Sequence, residues 1–359
     1  MLDVFGGLKK QISTSGATKA KVSSMVLRCT KLCMLITTLA CVLVTAKNYI
    51  GDNIKCITGF DKQEHKAIET YCFIASTFTI VDLDVPTAHP GVGPNAPKIN
   101  ADGEKEEPDN RRHAYYQWVP MVLVLQAVVF YLPQWLWNRI DKGFFSSALC
   151  SLDKIHISDV SPNIQVSANY FLGSMATHRS YATSFLMCEV LSFAISIGNL
   201  FFTNAFLGGE FFSFGPAAIN YLLKPASDPD NPLNEIFPKV AKCTWYKYGA
   251  SGTIQKHDSM CVLPLNIVNE KTYIFLWLVY TLTAFLIGFF LILHLIMFIV
   301  PSLRNTWLVF LAKEHQSKID LQHVLPKCNY GDWFLMYHFK KNMAYFKEWI
   351  SKIREGINK

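Results

Sequence analysis

Apolar residues dominate this chain in four long runs, at about residues 25–46, 118–138, 182–206 and 273–300. Each reaches the roughly 20 residues a helix needs to cross the hydrocarbon core of a bilayer. The last sits in an uncharged stretch from Thr272 to Leu303, longer than a buried helix of a soluble bundle needs. Ahead of the first run, Leu2, Phe5, Leu8 and Ile12 recur at helical spacing before a Ser13–Gly16 turn, which predicts a short amphipathic helix. That stripe fits a membrane-surface anchor as well as a pore-facing element. Between the runs lie polar segments. Residues from about 60 to 83 have an ordered pattern, whereas the stretch from His89 to Pro94 and Ala101–Asn110 reads as turns and a solvated acidic stretch. Residues 242–248 and 253–261 flank Gly249-Ala-Ser-Gly252 and predict a hairpin. The tail, 302–359, has amphipathic patterns broken at Pro326 and Gly331, which predicts a small helical domain.

These patterns divide the 359 residues into an N-terminal helix (1–24), a first span (25–46), a long loop (47–117) and a second span (118–138). A middle loop (139–181), a third span (182–206), a second long loop (207–272), a fourth span (273–300) and the tail (301–359) follow. Composition supports a polytopic membrane protein: 17% of residues are charged, 26 are Phe, and mean hydropathy is +0.20. The predicted fold class is all-α, with four transmembrane helices, small disulfide-stapled α/β extracellular loops and a helical cytoplasmic domain.

Charge adds orientation. Up to Lys31 there are six basic residues and one acid, and from Arg304 onward ten and five; the loop 47–117 has eight and eleven, and the loop 207–271 six and six. Positive segments stay inside, which places both termini in the cytoplasm and the two long loops outside. The cysteines agree, since Cys56 and Cys72 fall in one of those loops and Cys243 and Cys261 in the other, where an oxidising compartment permits disulfides. The net charge of +7 is thus an orientation signal; no aromatic-interleaved basic patch points to nucleic acid.

Candidate chemistry is sparse. Gly91-Val-Gly93 lacks a third glycine and a strand–helix context, and Cys29/Cys33 lack a second ligand pair for a metal. His257 and Cys261 also stand four apart, in a loop that favours oxidation over metal binding. Cys150, Cys188 and Cys328 read as free thiols. Glu189, inside the third run, is the one intramembrane acid, open to a functional role or to an interhelical hydrogen bond. No catalytic residue, metal site or cofactor is expected.

Tyr115-Tyr116-Gln117-Trp118-Val119-Pro120, at the entry to the second run, resembles the hallmark of the innexins, the invertebrate gap-junction proteins. Met1–Phe5, Phe237-Pro-Lys239, Lys242-Cys243, the stretches Lys247–Gly249, Lys256–Asp258 and Cys261–Asn266, Asn269-Glu-Lys271, Tyr273–Trp277 and Gly331–Leu335 extend the likeness over nearly the whole chain. It is insect-like and takes in virus-borne homologues as well. Gln134 departs from the usual basic residue, and the middle loop lacks a lysine run. The resemblance implies a ring of subunits, an octamer, forming a gap junction or hemichannel at the plasma membrane. Such a ring passes ions and small molecules, alone or with other innexins, and docks on a ring of a neighbouring cell. It implies inter-loop bridges Cys56–Cys261 and Cys72–Cys243. It also implies a pore wall of the first span and the folded-in N-terminal helix, with Leu2, Asp3 and Phe5 there. Lys47 and Asp52 are placed to set charge at the outer mouth. The alternative is a four-span adhesion protein without channel activity, but claudin- and tetraspanin-type proteins do not carry cysteines two plus two.

Overall fold

The computed structural model describes residues 21–51, 53–80, 91–93, 98–99, 105–106, 110–150, 152, 160–223, 232–312 and 314–358. The expected N-terminal helix, with Leu2, Asp3 and Phe5, and also Asp52 lie outside the described residues.

In chain order the helix α1 (Met25–Ile50) leads to strand β1 (Lys55–Ile57), α2 (Lys62–Ala75), β2 (Thr77–Ile80) and β3 (Asn110–His113). Next come α3 (Val119–Asp141), α4 (Phe144–Ala148), α5 (Val160–Gly173), α6 (Arg179–Phe206) and α7 (Phe211–Leu223). The hairpin β4 (Val240–Tyr248) and β5 (Ile254–Val262) precedes α8 (Pro264–Ile299). The tail holds α9 (Pro301–Leu311), α10 (His315–Val324), α11 (Tyr330–Asn342) and α12 (Phe346–Ile357). A two-residue ladder also joins Lys98–Ile99 to Lys105–Glu106.

Four helices, α1, α3, α6 and α8, are long and apolar enough to cross a membrane. In such a helix the backbone groups between the two end turns bond to one another within the segment, which hydrocarbon requires. Large side chains stay exposed along their flanks, Leu32, Leu39 and Val42 on α1 and Phe285 and Ile292 on α8 among them. A soluble fold would bury such rows. The helices run past the expected spans: α3 to Asp141, α6 from Arg179, and α8 from Pro264, nine residues ahead of 273. Pro120 occupies the first turn of α3, where its missing N–H costs no helical bond.

The chain folds as two compact units. One comprises residues 30–131 and 195–285; the other comprises residues up to Cys29, 132–194 and 286–359. In the first, five antiparallel strands order as β1-β5-β4-β2-β3. The β4–β5 turn closes with Gly249 N–H donating to the Thr253 carbonyl at 2.8 Å, and Gly252 takes φ +78°, a left-handed value open to glycine. A single side-chain hydrogen-bond chain crosses all four long helices in this unit. Thr37 on α1 lies 3.0 Å from the Tyr280 hydroxyl on α8, which donates to Gln126 on α3 at 3.3 Å; Gln126 donates to Thr203 on α6 at 2.8 Å. All four residues are buried. Such polar bridges between apolar helices fix their pairing where apolar contact alone does not discriminate.

The other unit gathers the tail helices with α4, α5 and residues of the long helices around an apolar core in which aliphatic side chains pack with aromatic rings such as Trp137, Phe171, Phe339 and Trp349. Phe346, Trp349, Ile350 and Ile353 bury one stripe of α12 at spacings of three, one and three. The Trp349 indole donates to Ser167 Oγ at 3.1 Å, and Ser167 to the Ala148 carbonyl at 2.9 Å, joining α12, α5 and α4. Asn329 caps α11 in a reciprocal box with Asp332. Asp332, fully buried, also accepts from Ala176 N–H at 3.1 Å and faces His178 Nδ1 at 3.1 Å. Gly331 is not the expected break. The chain turns at Cys328–Asn329, and Gly331 lies in the first turn of α11, where a Cβ would collide with the backbone of His178 and Arg179. The residue is small because two backbones meet there.

Candidate functional site

The strand-bearing unit concentrates the cysteines and the Tyr-Tyr-Gln-Trp stretch. Antiparallel pairing of β1 with β5 sets Cys56 directly opposite Cys261, and the two are bonded across 205 residues of sequence. Cys72 on α2 is bonded to Cys243 on β4 across 171 residues. All four are buried. One bridge thus fastens β1 to the sheet and the other fastens α2 across it, so each joins the first loop to the second. With their sulfurs oxidised, these cysteines offer no thiolate to a metal.

Around the bridges the sheet is packed by rings and one buried cation. Trp245 stacks on His257 at 4.7 Å, Phe60 meets Trp245 edge-on at 5.0 Å, and the Trp245 indole donates to Ser259 at 3.2 Å. Lys242, nearly fully buried, pairs with Asp258 at 2.8 Å and donates to the Gly93 carbonyl at 2.7 Å, which satisfies its charge. His113 on β3 lies 2.8 Å from Thr79 Oγ1, and its burial, with Arg111 close by, pushes it down to about 4.

The Tyr115–Pro120 stretch is a latch. Residues 115–117 form one 3₁₀ turn; Tyr116, buried, donates to the Phe73 carbonyl at 3.3 Å, and the Gln117 amide reaches the carbonyls of Phe73 and Ile74. Those carbonyls end α2 and have no helical partners of their own. Tyr115 packs edge-on against Phe237 at 5.5 Å, Trp118 stays exposed, and the Pro120 carbonyl accepts from Cys41 of α1. The stretch therefore ties the end of α2 and the 237 region to the start of α3 and to α1. The 237–239 segment is itself held to α8, since Asn266 donates to the Pro238 carbonyl at 2.9 Å. Glu270, fully buried, pairs with Lys271 at 2.7 Å and Lys239 at 3.3 Å.

Of the residues expected at the pore, Lys47 is described, half-buried in the last turn of α1. Three features were not expected from the sequence pattern. Helix α7 is one; the others are the Thr37–Tyr280–Gln126–Thr203 chain and the partner of Glu189. Glu189 accepts from His294 Nδ1 at 2.8 Å, so the intramembrane acid makes the interhelical contact. Periodicity offers no signal for a partner 105 positions away.

The chain thus combines four helices long and apolar enough to cross a membrane with two disulfides that join its two long loops. The Innexin family profile matches residues 23–356. The chain belongs to the innexin family. It is 36% identical to innexin inx2 of Drosophila melanogaster over 368 residues, covering 100% of this chain and 96% of that protein. Identity is 33% over 367 residues to innexin inx2 of Schistocerca americana, with 99% and 98% covered. It is 33% over 351 residues to innexin shaking-B of Drosophila melanogaster, with 96% and 91% covered. Innexins are the subunits of gap-junction channels, oligomers that dock across adjoining cells. This innexin is such a subunit, a membrane protein of a channel family. No observation favours adhesion without a channel.

Proposed function

We propose that this innexin forms homomeric rings of eight that conduct ions and small molecules between cells, with both termini cytoplasmic and the bridged loops outside. The observation that carries the reading is the loop pairing of four cysteines in a four-span chain whose likeness to innexins is nearly full-length. Four helices per subunit cannot enclose a wide aqueous path, and a closed ring can. Eight subunits follow from the resemblance, and the lysine and arginine excess at both ends supports the orientation. Other innexins join the same rings where they are co-expressed. The undocked ring is a hemichannel.

In this reading α1 and the residues before it face the lumen: Leu2 and Phe5 pack the N-terminal helix against the wall, Asp3 projects a ring of carboxylates, and Lys47 and Asp52 set charge at the outer mouth. Asp3→Asn is expected to lower cation preference, although Lys9 and Lys10 offset part of the field. Deletion of residues 2–12 that left single-channel conductance and selectivity unchanged would make that segment a surface anchor. End-on particle images should show eight-fold rings. Dye passing between paired expressing cells, and not between mock pairs, tests the channel itself; adhesion alone passes none.

A further inference from the structure

In the tail-bearing unit a cavity of about 160 Å³ opens among the first turn of α1, the tail helix α11, and the α6 and α8 segments that carry Glu189 and His294. Its walls are rings: Phe185, Phe290, Tyr330, Trp333 and Phe334. One strongly polar group lies deep in that apolar lining. Glu189 is 1% exposed; its Oε2 accepts from His294, and its Oε1 has no hydrogen-bond partner among the described residues. A buried carboxylate oxygen without a donor is costly, on the order of 1–3 kcal/mol and more for a charge, so the site asks for a donor. Aromatic faces around a carboxylate are the surroundings that suit an organic cation. The cavity's own rim shows that chemistry, since the Lys341 ammonium lies 4.5 Å over the Tyr337 ring. Lys341 is exposed and its charge solvated, while burial beside Lys341 and His294 pushes His338 down to about 3 and leaves it neutral. Neither sets a buried positive charge against a ligand.

We propose that this cavity is a binding site for a small protonated amine with a single-ring body, its ammonium donating to Glu189 Oε1 and its ring lying among the aromatic walls. The size fits, because a dry cavity of about 150 Å³ holds one benzene. An occupant touches α1, two spanning helices and the tail helix together, so it would tie the tail to the spans.

The test uses the full chain in nanodiscs, with empty nanodiscs as background, and reads binding of benzylammonium, benzyl alcohol and toluene by saturation-transfer NMR. Benzylammonium should bind most tightly, and Glu189→Gln should weaken it about tenfold while leaving toluene unchanged. Leu293→Phe, which fills the cavity from α8, should abolish binding of all three. Equal benzylammonium affinity in the wild type and Glu189→Gln would overturn the proposal, as would benzyl alcohol or toluene binding as tightly as the amine. If Glu189→Gln fails to assemble on gel filtration, the solute series and Leu293→Phe decide. Undiminished benzylammonium binding to Leu293→Phe rejects the site.

Discussion

The two units of this innexin reach order by different means. The strand-bearing unit has a hairpin of two nine-residue strands to which short strands from the first loop are added, and two disulfides spanning 205 and 171 residues. The tail-bearing unit has no disulfide among its described residues, although Cys150, Cys188 and Cys328 are in it as free thiols. It relies on helices packed around one apolar core, with a capped helix and the buried Asp332 carboxylate at its edge. Bringing distant loop segments together costs chain entropy that a small sheet recovers poorly, and a cross-link removes much of that entropy from the unfolded state. Helices make their bonds locally, and each needs one apolar stripe and a partner. Cross-links belong where short loop elements must be held in a sheet; packing suffices where each element is a helix that makes its own backbone bonds.

The two units should respond most differently to loss of their anchors. Trp349→Ala should destabilise the tail-bearing unit by about 3–5 kcal/mol, through the cavity it leaves and the lost bond to Ser167. The strand-bearing unit should keep its hydrogen-exchange protection. Cys72→Ser or Cys243→Ser should cost the strand-bearing unit about 2–5 kcal/mol. A reductant should reproduce that loss and leave the tail protected.

Much of this contrast was legible in the sequence, and the illegible parts have a common cause. Apolar run length revealed the four long helices, and the Gly249–Gly252 turn revealed the hairpin, because both signals are local. The start of α8 was hidden: Asn266, Asn269, Glu270 and Lys271 look like loop, yet Asn266 is held by the Pro238 carbonyl and Glu270 by Lys239. Helix α7 lies inside the second long loop, where no helix was expected, and it packs so closely that a Cβ on Gly215 would meet the Trp277 ring. Gly331 looked like a breaker because close approach of two backbones leaves no periodic trace. Glu189 stood out as a lone acid, but His294, uncharged on paper, did not. Each miss depends on a residue distant in sequence.

Acid separates the units less than mutation does. His338, surrounded by Phe145, Phe185, Phe334 and Tyr337, stays neutral in the folded tail down to about pH 3, whereas an unfolded histidine takes its proton near 6.5. The unfolded chain then binds more protons, so stability is lost as pH falls below about 6.5, by roughly 1.4 kcal/mol per pH unit. Denaturant midpoints at pH 7.5, 6 and 5 should fall accordingly, and His338→Phe should reduce the slope by one proton. His113, held at about 4, gives the strand-bearing unit a shorter window of the same sign. The smallest effect expected is Gln126→Leu, about 0.5–2 kcal/mol, because helix pairs in a membrane find substitute partners. It should appear as looser pairing of α3 with α6 and α8 in cross-linking.

Junctional conductance between paired oocytes reads whether the bridged loops make this innexin a docking channel. Serine at Cys56, Cys72, Cys243 or Cys261 should abolish coupling, while serine at Cys150 or Cys328 should leave it at the wild-type level with equal surface expression. Equal loss from both groups, or coupling that survives removal of a loop bridge, would mean that docking does not depend on the bridged loops.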